Sequence, residues 1–272
     1  MRSRNRGRSL LCLSLLATSW IFGGCTARDG GEVAATLAVD SVRVLAYNIH
    51  HGEGMDEVLD LERIAALIRS TDPDLVALQE IDSVTARTER VDQASELGRL
   101  TGMQPFFGRF MAYDGGAYGM ALLSKWDVRD VVNHRLPDGT EPRSALTATV
   151  VSPKTGRALR LVGIHFYETA EERLAQAPAL EALLATDSIP TILAGDFNST
   201  PESPVMTRLA QAWQIVDKGE DRLTFSSFDP VREIDFVLVR PGERFEVVGQ
   251  RLLDEPVASD HRPVLVDLVV RP

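Results

Sequence analysis

The chain has 272 residues, of which 44% are hydrophobic and 25% are charged, and its formal net charge at pH 7 is −10. These values are typical of a globular protein that can bury a substantial core. The acidic balance argues against a protein that holds nucleic acid through many Lys and Arg contacts to phosphates, but it is compatible with a substrate that carries a single phosphate.

The first 24 residues predict an export signal. Four arginines, at positions 2, 4, 6 and 8, precede an apolar run from Leu10 to Phe22, which is too short for a comfortable membrane span. The small residues Gly23 and Gly24 before Cys25 resemble a bacterial lipobox, in which the cysteine becomes the lipidated first residue. We therefore predict an exported lipoprotein that is attached to a membrane through Cys25. Ordinary signal cleavage near Ala27, which would give a periplasmic or secreted protein, is the alternative.

Removal of residues 1–24 would change what remains in two ways. Cys12 lies inside the signal, so the rest of the chain would contain no cysteine pair and no disulfide. Four basic residues and no acidic ones would be lost, which takes the net charge from −10 to −14. We expect a polar tether over residues 25–40 and then one domain, residues 41–272, that is monomeric and does not bind nucleic acid stably.

In chain order, alternating and continuous apolar runs predict an α/β domain. The predicted strands cover residues 42–48, 74–80, 120–123, 128–135, 145–151, 158–165, 189–194, 234–239 and 264–270, and the predicted helices cover residues 59–68, 94–100, 171–184 and 206–213. The Gly-rich segment Tyr113–Gly119 matches no phosphate-cradling pattern, and we interpret it as a turn near the site.

Polar side chains stand at the ends of most of these strands. They are Asn48, Glu80, His165, Asp196 with Asn198, Asp235, and Asp260 with His261. Side chains at positions i and i+2 leave a strand on the same side, so Asp196 and Asn198 can hold and activate one water. A glutamate at the end of an apolar strand costs free energy unless it is paired or binds a metal. A single acid in a strand usually has a partner, and we expect Asp235 to orient His261.

Oxygen ligands dominate this set, and no cysteine ligand is present, so Mg²⁺ or Mn²⁺ is the expected cofactor. The absence of a convincing Ser or Cys nucleophile with its own base favours direct attack by water. His50 and Arg87 are further candidates for metal or substrate contacts, whereas His51 is expected at the surface. A zinc or iron site built from His50, His51 and a carboxylate is an alternative.

The same residues carry a resemblance to the endonuclease/exonuclease/phosphatase superfamily of metal-dependent phosphoesterases. It rests on YNIHHG around Asn48, LVALQE ending at Glu80, GIH ending at His165, LAGDFNSTP around Asp196 and Asn198, IDFVLV containing Asp235, and SDHRPVLV containing Asp260 and His261. The resemblance implies a four-layer α/β sandwich, in which two mixed β-sheets pack face to face with helices outside. Two departures are His50, where many members carry an acid, and Met120, where relatives often have Asn.

The resemblance also implies roles. Glu80 would be the principal metal ligand, with Asn48 and Asp260 close by. Asp196, assisted by Asn198, would orient or deprotonate the attacking water. His261, paired with Asp235, would contact the phosphate, and His165 would support the same oxygens.

The leading hypothesis is a phosphodiesterase or phosphomonoesterase that acts on a small molecule or a lipid headgroup. An extracellular DNase I-like endonuclease and a non-catalytic binding module on the same scaffold are the alternatives.

Overall fold

The computed structural model describes residues 39–185 and 188–272. The predicted signal peptide, Cys25 and most of the tether lie outside the described residues, so they stay predictions. Residues 39 and 40 are described, and Asp40 already begins the first strand. Among the described helices, none has the length and apolar character that crossing a membrane requires.

The described residues form twelve strands and four α-helices. The strands are β1 Asp40–Asn48, β2 Leu75–Ser83, β3 Gln104–Tyr113, β4 Gly116–Ser124, β5 Asp127–Arg135, β6 Ser144–Val151, β7 Ala158–His165, β8 Thr191–Asp196, β9 Gln214–Ile215, β10 Asp235–Arg240, β11 Phe245–Leu252 and β12 Val264–Val270. The helices are α1 Leu61–Thr71, α2 Gln93–Thr101, α3 Ala170–Leu184 and α4 Pro204–Leu209. Two 3-10 turns, His50–Gly52 and Gly242–Arg244, complete the regular elements.

The strands form two mixed sheets of six. The first has the order β11-β12-β1-β2-β4-β3, and the second has the order β5-β6-β7-β8-β10-β9. Only β1 with β2 and β7 with β8 are parallel pairs in these sheets. Both parallel pairs carry predicted site residues at their carboxyl ends, where open α/β sheets usually bind ligands.

Alternate side chains of each strand point to opposite faces of its sheet and so contact different layers. In β2, Leu75 and Ala77 join the core between the two sheets, whereas Val76 and Leu78 face α1 and α2. The outer face of the second sheet packs against α3 and α4 in a third buried cluster. The result is the predicted four-layer α/β sandwich, with two sheets face to face and helices outside.

Helix α1 shows how the sequence sets a boundary. Asp60 caps it, since its side chain accepts a hydrogen bond from the Arg63 N–H at 2.9 Å. Asp72 ends it in the left-handed conformation, directly before Pro73. The helix buries Ile64, Ala65 and Ile68 against the first sheet, as its apolar spacing predicts.

Several elements differ from the prediction. The sequence patterns do not predict strands β3, β9 and β11. The segment Tyr113–Gly119 is mostly the end of β3 and the start of β4, joined by a tight turn at Asp114 and Gly115. Helix α4 ends at Leu209 rather than at residue 213. The turn prediction therefore holds for only two residues of the Gly-rich segment.

Candidate active site

A cavity of about 320 Å³ lies where the two sheets meet at the ends of their parallel strands. Six of the predicted site residues line it: Glu80, His165, Asp196, Asn198, Asp260 and His261. Asn48 and Asp235 are buried and hydrogen-bond to residues of this group. The structure thus brings all eight principal predicted residues together, although their catalytic and metal-binding roles stay predictions.

Asp196 ends β8 and is almost completely buried. Its Oδ1 accepts the backbone N–H of Asn198 at 2.7 Å, and its Oδ2 accepts from Asn48 Nδ2 at 3.3 Å. Burial, and next the nearby charge of Asp235, raise the pKa of the Asp196 carboxyl to about 7. A carboxyl that ionises near neutral pH has the proton affinity of a general base.

His261 is held by Asp235 from the second sheet. The ring Nδ1 lies 2.9 Å from Asp235 Oδ2, and the opposite nitrogen, Nε2, lies 3.8 Å from Asp196 Oδ2. Burial alone would lower the pKa of the His261 imidazole, but the charge of Asp235 and the hydrogen bond to it outweigh burial and raise that pKa to about 10. His261 is therefore an imidazolium at neutral pH.

His165 has the opposite character. It ends β7, and its Nε2 lies 3.5 Å from Asp196 Oδ2. Burial, followed by the charges of Arg143 and His261, holds the pKa of His165 well below its ordinary value. The site therefore contains one neutral and one charged imidazole, whose Nε2 atoms lie 3.5 and 3.8 Å from the same oxygen of Asp196.

Glu80 stands in a β-bulge and does not end its strand, in contrast to the prediction. The pairing of β2 with β4 shifts between Gln79 and Ile81, and Glu80 has a φ of 58°. Ile81 packs into the core below α1 and α2. Because the bulge adds one residue to β2 at this point, Glu80 does not follow the strand alternation, and its side chain lines the cavity.

The donor set fits a divalent cation. Asn48 Nδ2 lies 3.1 Å from Glu80 Oε1, 3.3 Å from Asp196 Oδ2 and 3.4 Å from His261 Nε2. One amide nitrogen thus lies against carboxylate oxygens of two residues, Glu80 and Asp196, and such oxygens are the ligands that a hard divalent cation prefers. Asp260 adds a carboxylate at the same cavity, and oxygen ligands of this kind suit Mg²⁺ and Mn²⁺.

Asn198 contributes through its side chain and its backbone. Its φ of 47° is left-handed, and its Nδ2 donates to the Phe166 carbonyl at 3.0 Å. Asp196 and Asn198 therefore face the same side because of an Asx turn after the strand, and not because of strand alternation as predicted.

His50 and His51 do not follow the strand alternation either. The strand ends at Asn48, whose Oδ1 accepts the backbone N–H of His50 at 3.1 Å, and both histidines are left-handed, with φ values of 46° and 44°. His51 is buried, which corrects the expectation of a surface position. Burial, followed by the charges of Arg87 and His50, lowers the pKa of His51 to about 4.

Arg87 is engaged by a buried acid. Its Nε and Nη2 donate to the two oxygens of Asp82 at 2.6 and 2.9 Å, and its guanidinium lies 4.6 Å from the Tyr113 ring centre. It lines a smaller cavity of about 160 Å³ that shares Glu80 and Tyr118 with the larger one. Arg87 therefore lies beside the site, and its Nε and Nη2 groups are hydrogen-bonded to Asp82.

Arg143 is a site residue that sequence reasoning missed. It is 5% exposed, it lines the larger cavity, and its Nη1 lies 2.8 Å from Glu141 Oε1. Its guanidinium lies 5.0 to 5.7 Å from the ring centres of Phe110, Tyr118 and Tyr167. A buried guanidinium among rings is preorganised to bind a phosphate oxygen. Its only signal in the sequence is its place two residues before the predicted strand 145–151.

Comparison with known proteins agrees with this architecture. The sequence profile described as Endonuclease/Exonuclease/phosphatase family matches residues 45–261. The uncharacterized protein YbhP of Escherichia coli (strain K12) is 26% identical over 243 residues, which cover 84% of this chain and 96% of that protein.

Two solved structures share the fold. The mannosyl-6-phosphatase of Bacteroides thetaiotaomicron VPI-5482 has a TM-score of 0.69 at 19% identity, over 84% of this chain and 99% of that one. The human Nocturnin catalytic domain with a bound sulfate anion has a TM-score of 0.64 at 20% identity, over 85% and 97%. On the profile match, which spans the site from β1 to His261, the chain belongs to the endonuclease/exonuclease/phosphatase family, a family of metal-dependent phosphoesterases.

Proposed function

We propose that the protein hydrolyses a phosphodiester or phosphomonoester of a small molecule or lipid headgroup, by direct attack of water on phosphorus. The observation that carries the proposal is the convergence of two buried side chains, a carboxyl with a pKa near 7 and an imidazolium, at one cavity. This pair supplies a base and a cationic donor at the same operating pH.

Asp196 takes the base role. Its ionised carboxylate accepts a proton from a water in the cavity while the water oxygen forms the new bond to phosphorus. The bond from phosphorus to the ester oxygen breaks in the same displacement, and that oxygen leaves as an alcohol after taking a proton from solvent. Asn198 fixes the carboxylate through its backbone N–H, and Asn48 holds the other oxygen from β1. The base therefore has one orientation, which raises the probability of a productive approach.

His261 takes the electrophilic role. As an imidazolium it donates Nε2–H toward a phosphoryl oxygen and stabilises the negative charge that grows in the transition state. Asp235 holds the opposite nitrogen and keeps the ring charged. A divalent cation held by Glu80, with Asn48 and Asp260 near it, would supply further charge neutralisation at the phosphate and the leaving oxygen.

Cavity size and charge narrow the substrate class. A volume of about 320 Å³ is at the lower end for small-molecule sites and suits a phosphate with a modest organic group. The net charge of the whole chain, −10, and the balance of −14 expected after signal removal oppose a long polyanion. These two features support a small phosphate ester as the substrate rather than DNA, so a DNase-like activity is the second candidate.

The decisive assay measures hydrolysis by the purified full-length protein in Mg²⁺ or Mn²⁺. The panel holds bis(p-nitrophenyl) phosphate, p-nitrophenyl phosphate, a sugar 6-phosphate, sphingomyelin, phosphoinositides and plasmid DNA. The sugar phosphate is included because a mannosyl-6-phosphatase shares the fold. We expect turnover of a small or lipid ester without nicking of the plasmid.

The matched pair of variants is Asp196→Asn and Asp127→Asn. Asp127 is an exposed aspartate at the start of β5, so its substitution should leave turnover unchanged. Asp196→Asn should lower kcat by at least 10²-fold, the usual share of a positioned base. Full activity of Asp196→Asn would contradict the mechanism, and plasmid nicking would place the nuclease first.

We also propose that the protein acts outside the cytoplasm as a monomer, attached to a membrane by lipid on Cys25. The support is the arginine-rich start, the short apolar run and the small residues before Cys25. Mass spectrometry of the processed N-terminus distinguishes a lipidated Cys25 from cleavage near Ala27, and Cys25→Ser should release the protein from the membrane fraction.

A further inference from the structure

We infer that His50, His51 and Glu80 form a mixed nitrogen–oxygen site for a transition-metal dication. One ligand atom from each residue lies within 4.8 Å of the others. This group is distinct in composition from the oxygen-rich set of Asn48, Glu80 and Asp260, although it shares Glu80. The inference does not rest on the proposed hydrolysis, because metal binding is measured directly.

The hydrogen bonds around the two rings orient them for ligation. His50 Nδ1 lies 3.1 Å from the Glu53 carbonyl, which can only accept, so Nδ1 carries the proton and Nε2 keeps its lone pair. Metal-binding histidines usually donate their second ring N–H in this way, which fixes the ring and the tautomer. His50 thus has a typical outer partner of a metal ligand.

His51 presents a buried ring nitrogen that has no partner among the described residues. Its Nε2 lies 3.6 Å from the Glu53 carboxylate, and its Nδ1 is buried without a hydrogen-bond partner among the described residues. The residue is 9% exposed, so an unpaired ring nitrogen at this depth carries a desolvation cost that a bound cation would remove.

The backbone holds this geometry in place. Consecutive left-handed residues without glycine are unfavourable, and here they are fixed by Asn48 Oδ1 on one side and by Gln93 Nε2, which donates to the His51 carbonyl at 2.6 Å, on the other. A metal with ligands at ~2.1 Å needs ligand atoms ~3 to 3.5 Å apart. Glu80, which is only partly buried, can make this contraction by side-chain rotation.

The chemistry selects the ion. Imidazole nitrogens suit Zn²⁺, Co²⁺, Ni²⁺ and Fe²⁺, whereas Mg²⁺ prefers oxygen ligands and keeps several waters. Arg87 stands near His51, but Asp82 pairs with it through both carboxylate oxygens, so its charge is largely compensated. The site should therefore prefer a borderline transition metal to Mg²⁺.

The test titrates Co²⁺ into the EDTA-treated full-length protein and follows the visible absorption of the ion. We expect one equivalent with a nitrogen-ligated spectrum, and a Kd at least 10-fold weaker in His50→Ala and in His51→Ala. His134→Ala is the control, because His134 lies on β5 and pairs with Thr147. A 100-fold excess of Mg²⁺ should displace Co²⁺ from the two variants but not from the wild type.

An unchanged Kd in both histidine variants would overturn the inference and place Co²⁺ among oxygen ligands only. Because His51 is buried and its variant can fail to fold, X-ray absorption of the wild type loaded with Zn²⁺ gives a second readout. Two imidazole ligands are expected, and a shell of oxygen alone would refute the site. Intact Co²⁺ binding by a protein that shows no ester hydrolysis in the separate Mg²⁺ and Mn²⁺ assay would count against the proposed function and leave this inference standing.

Discussion

Replacement of Asp196 by Asn should stabilise the metal-free protein while it removes the proposed base. An ordinary aspartate ionises near 3.8, whereas burial and Asp235 raise the pKa of Asp196 to about 7. A gap of ~3 pH units corresponds to a cost of the order of 4 kcal/mol for the ionised folded state, at ~1.4 kcal/mol per unit. Active sites commonly carry such a cost for the sake of function.

The sign follows from proton linkage. Between pH 3.8 and about 7 the unfolded chain has lost the Asp196 proton and the folded protein has kept it. Stability therefore falls as the pH rises through this window, and the cost is fully present only above it. Asn is neutral at every pH, so its advantage should be near zero at pH 4 and largest at pH 8.

Local contacts reduce the stability that the Asp196→Asn substitution should add. Asn keeps an acceptor for the Asn198 N–H, but its amide group then faces Asn48 Nδ2, and the loss of that hydrogen bond costs about 1 kcal/mol. We expect a net gain of ~2 to 3 kcal/mol at pH 8, or an increase in Tm of ~4 to 10 °C for a domain of this size.

The assay is urea and thermal unfolding in EDTA at pH 4 and pH 8, with the variant compared with the wild type at each pH. Asp127→Asn should stay within ~0.5 kcal/mol at both values, as exposed substitutions usually do. A variant that is no more stable than the wild type at pH 8, or one whose gain is the same at both pH values, would refute the reasoning.

Three further predictions concern the same site. The rate of hydrolysis should rise as Asp196 ionises near pH 7 and fall as His261 loses its proton near pH 10. A higher Mg²⁺ concentration should shift the rise to lower pH, and a flat pH–rate profile would contradict these assignments. Arg143→Lys should raise KM by about 10-fold or more in steady-state kinetics, because a lysine cannot stack between the rings, and an unchanged KM would argue against phosphate contact. Gly195→Ala should lower the free energy of unfolding in urea by ~3 kcal/mol or more, since φ is 147° and the new Cβ would lie 2.1 Å from the Ile164 carbonyl oxygen. Gly156→Ala is the control: φ is 71° but no atom lies close to the new Cβ, so the loss should be only ~1 kcal/mol.

The sequence predicts those site features that depend on one strand and its polar residue. The apolar strand before Glu80 and the lone acid in β10 both implied buried charge that needs a partner, and the structure supplies Asn48 for Glu80 and His261 for Asp235. Strand and helix periodicity predicts the α/β elements, whereas the four-layer order is implied by the family resemblance alone.

The remaining features depend on tertiary contacts that no local pattern contains. Arg143 is buried because Phe110, Tyr118 and Tyr167 arrive from three separate parts of the chain. The bulge at Glu80 depends on the pairing of β2 with β4, and the buried His51 has its carbonyl hydrogen-bonded to Gln93 of α2. Strand β11 alternates weakly because much of it is exposed, so its pairing with β12 decides its structure.

The path of the chain through the two sheets has a consequence for folding. Residues 127–240 supply the second sheet, and the chain then returns to the first, where β12 pairs with β1 from Val264–Ala46 to Val270–Asp40. Until β12 is in place, β1 has one unpaired edge, and Asp260 and His261, which directly precede β12, are not held at the cavity. The candidate site is therefore completed only when β12 has paired with β1, the described strand that is farthest from it in the chain.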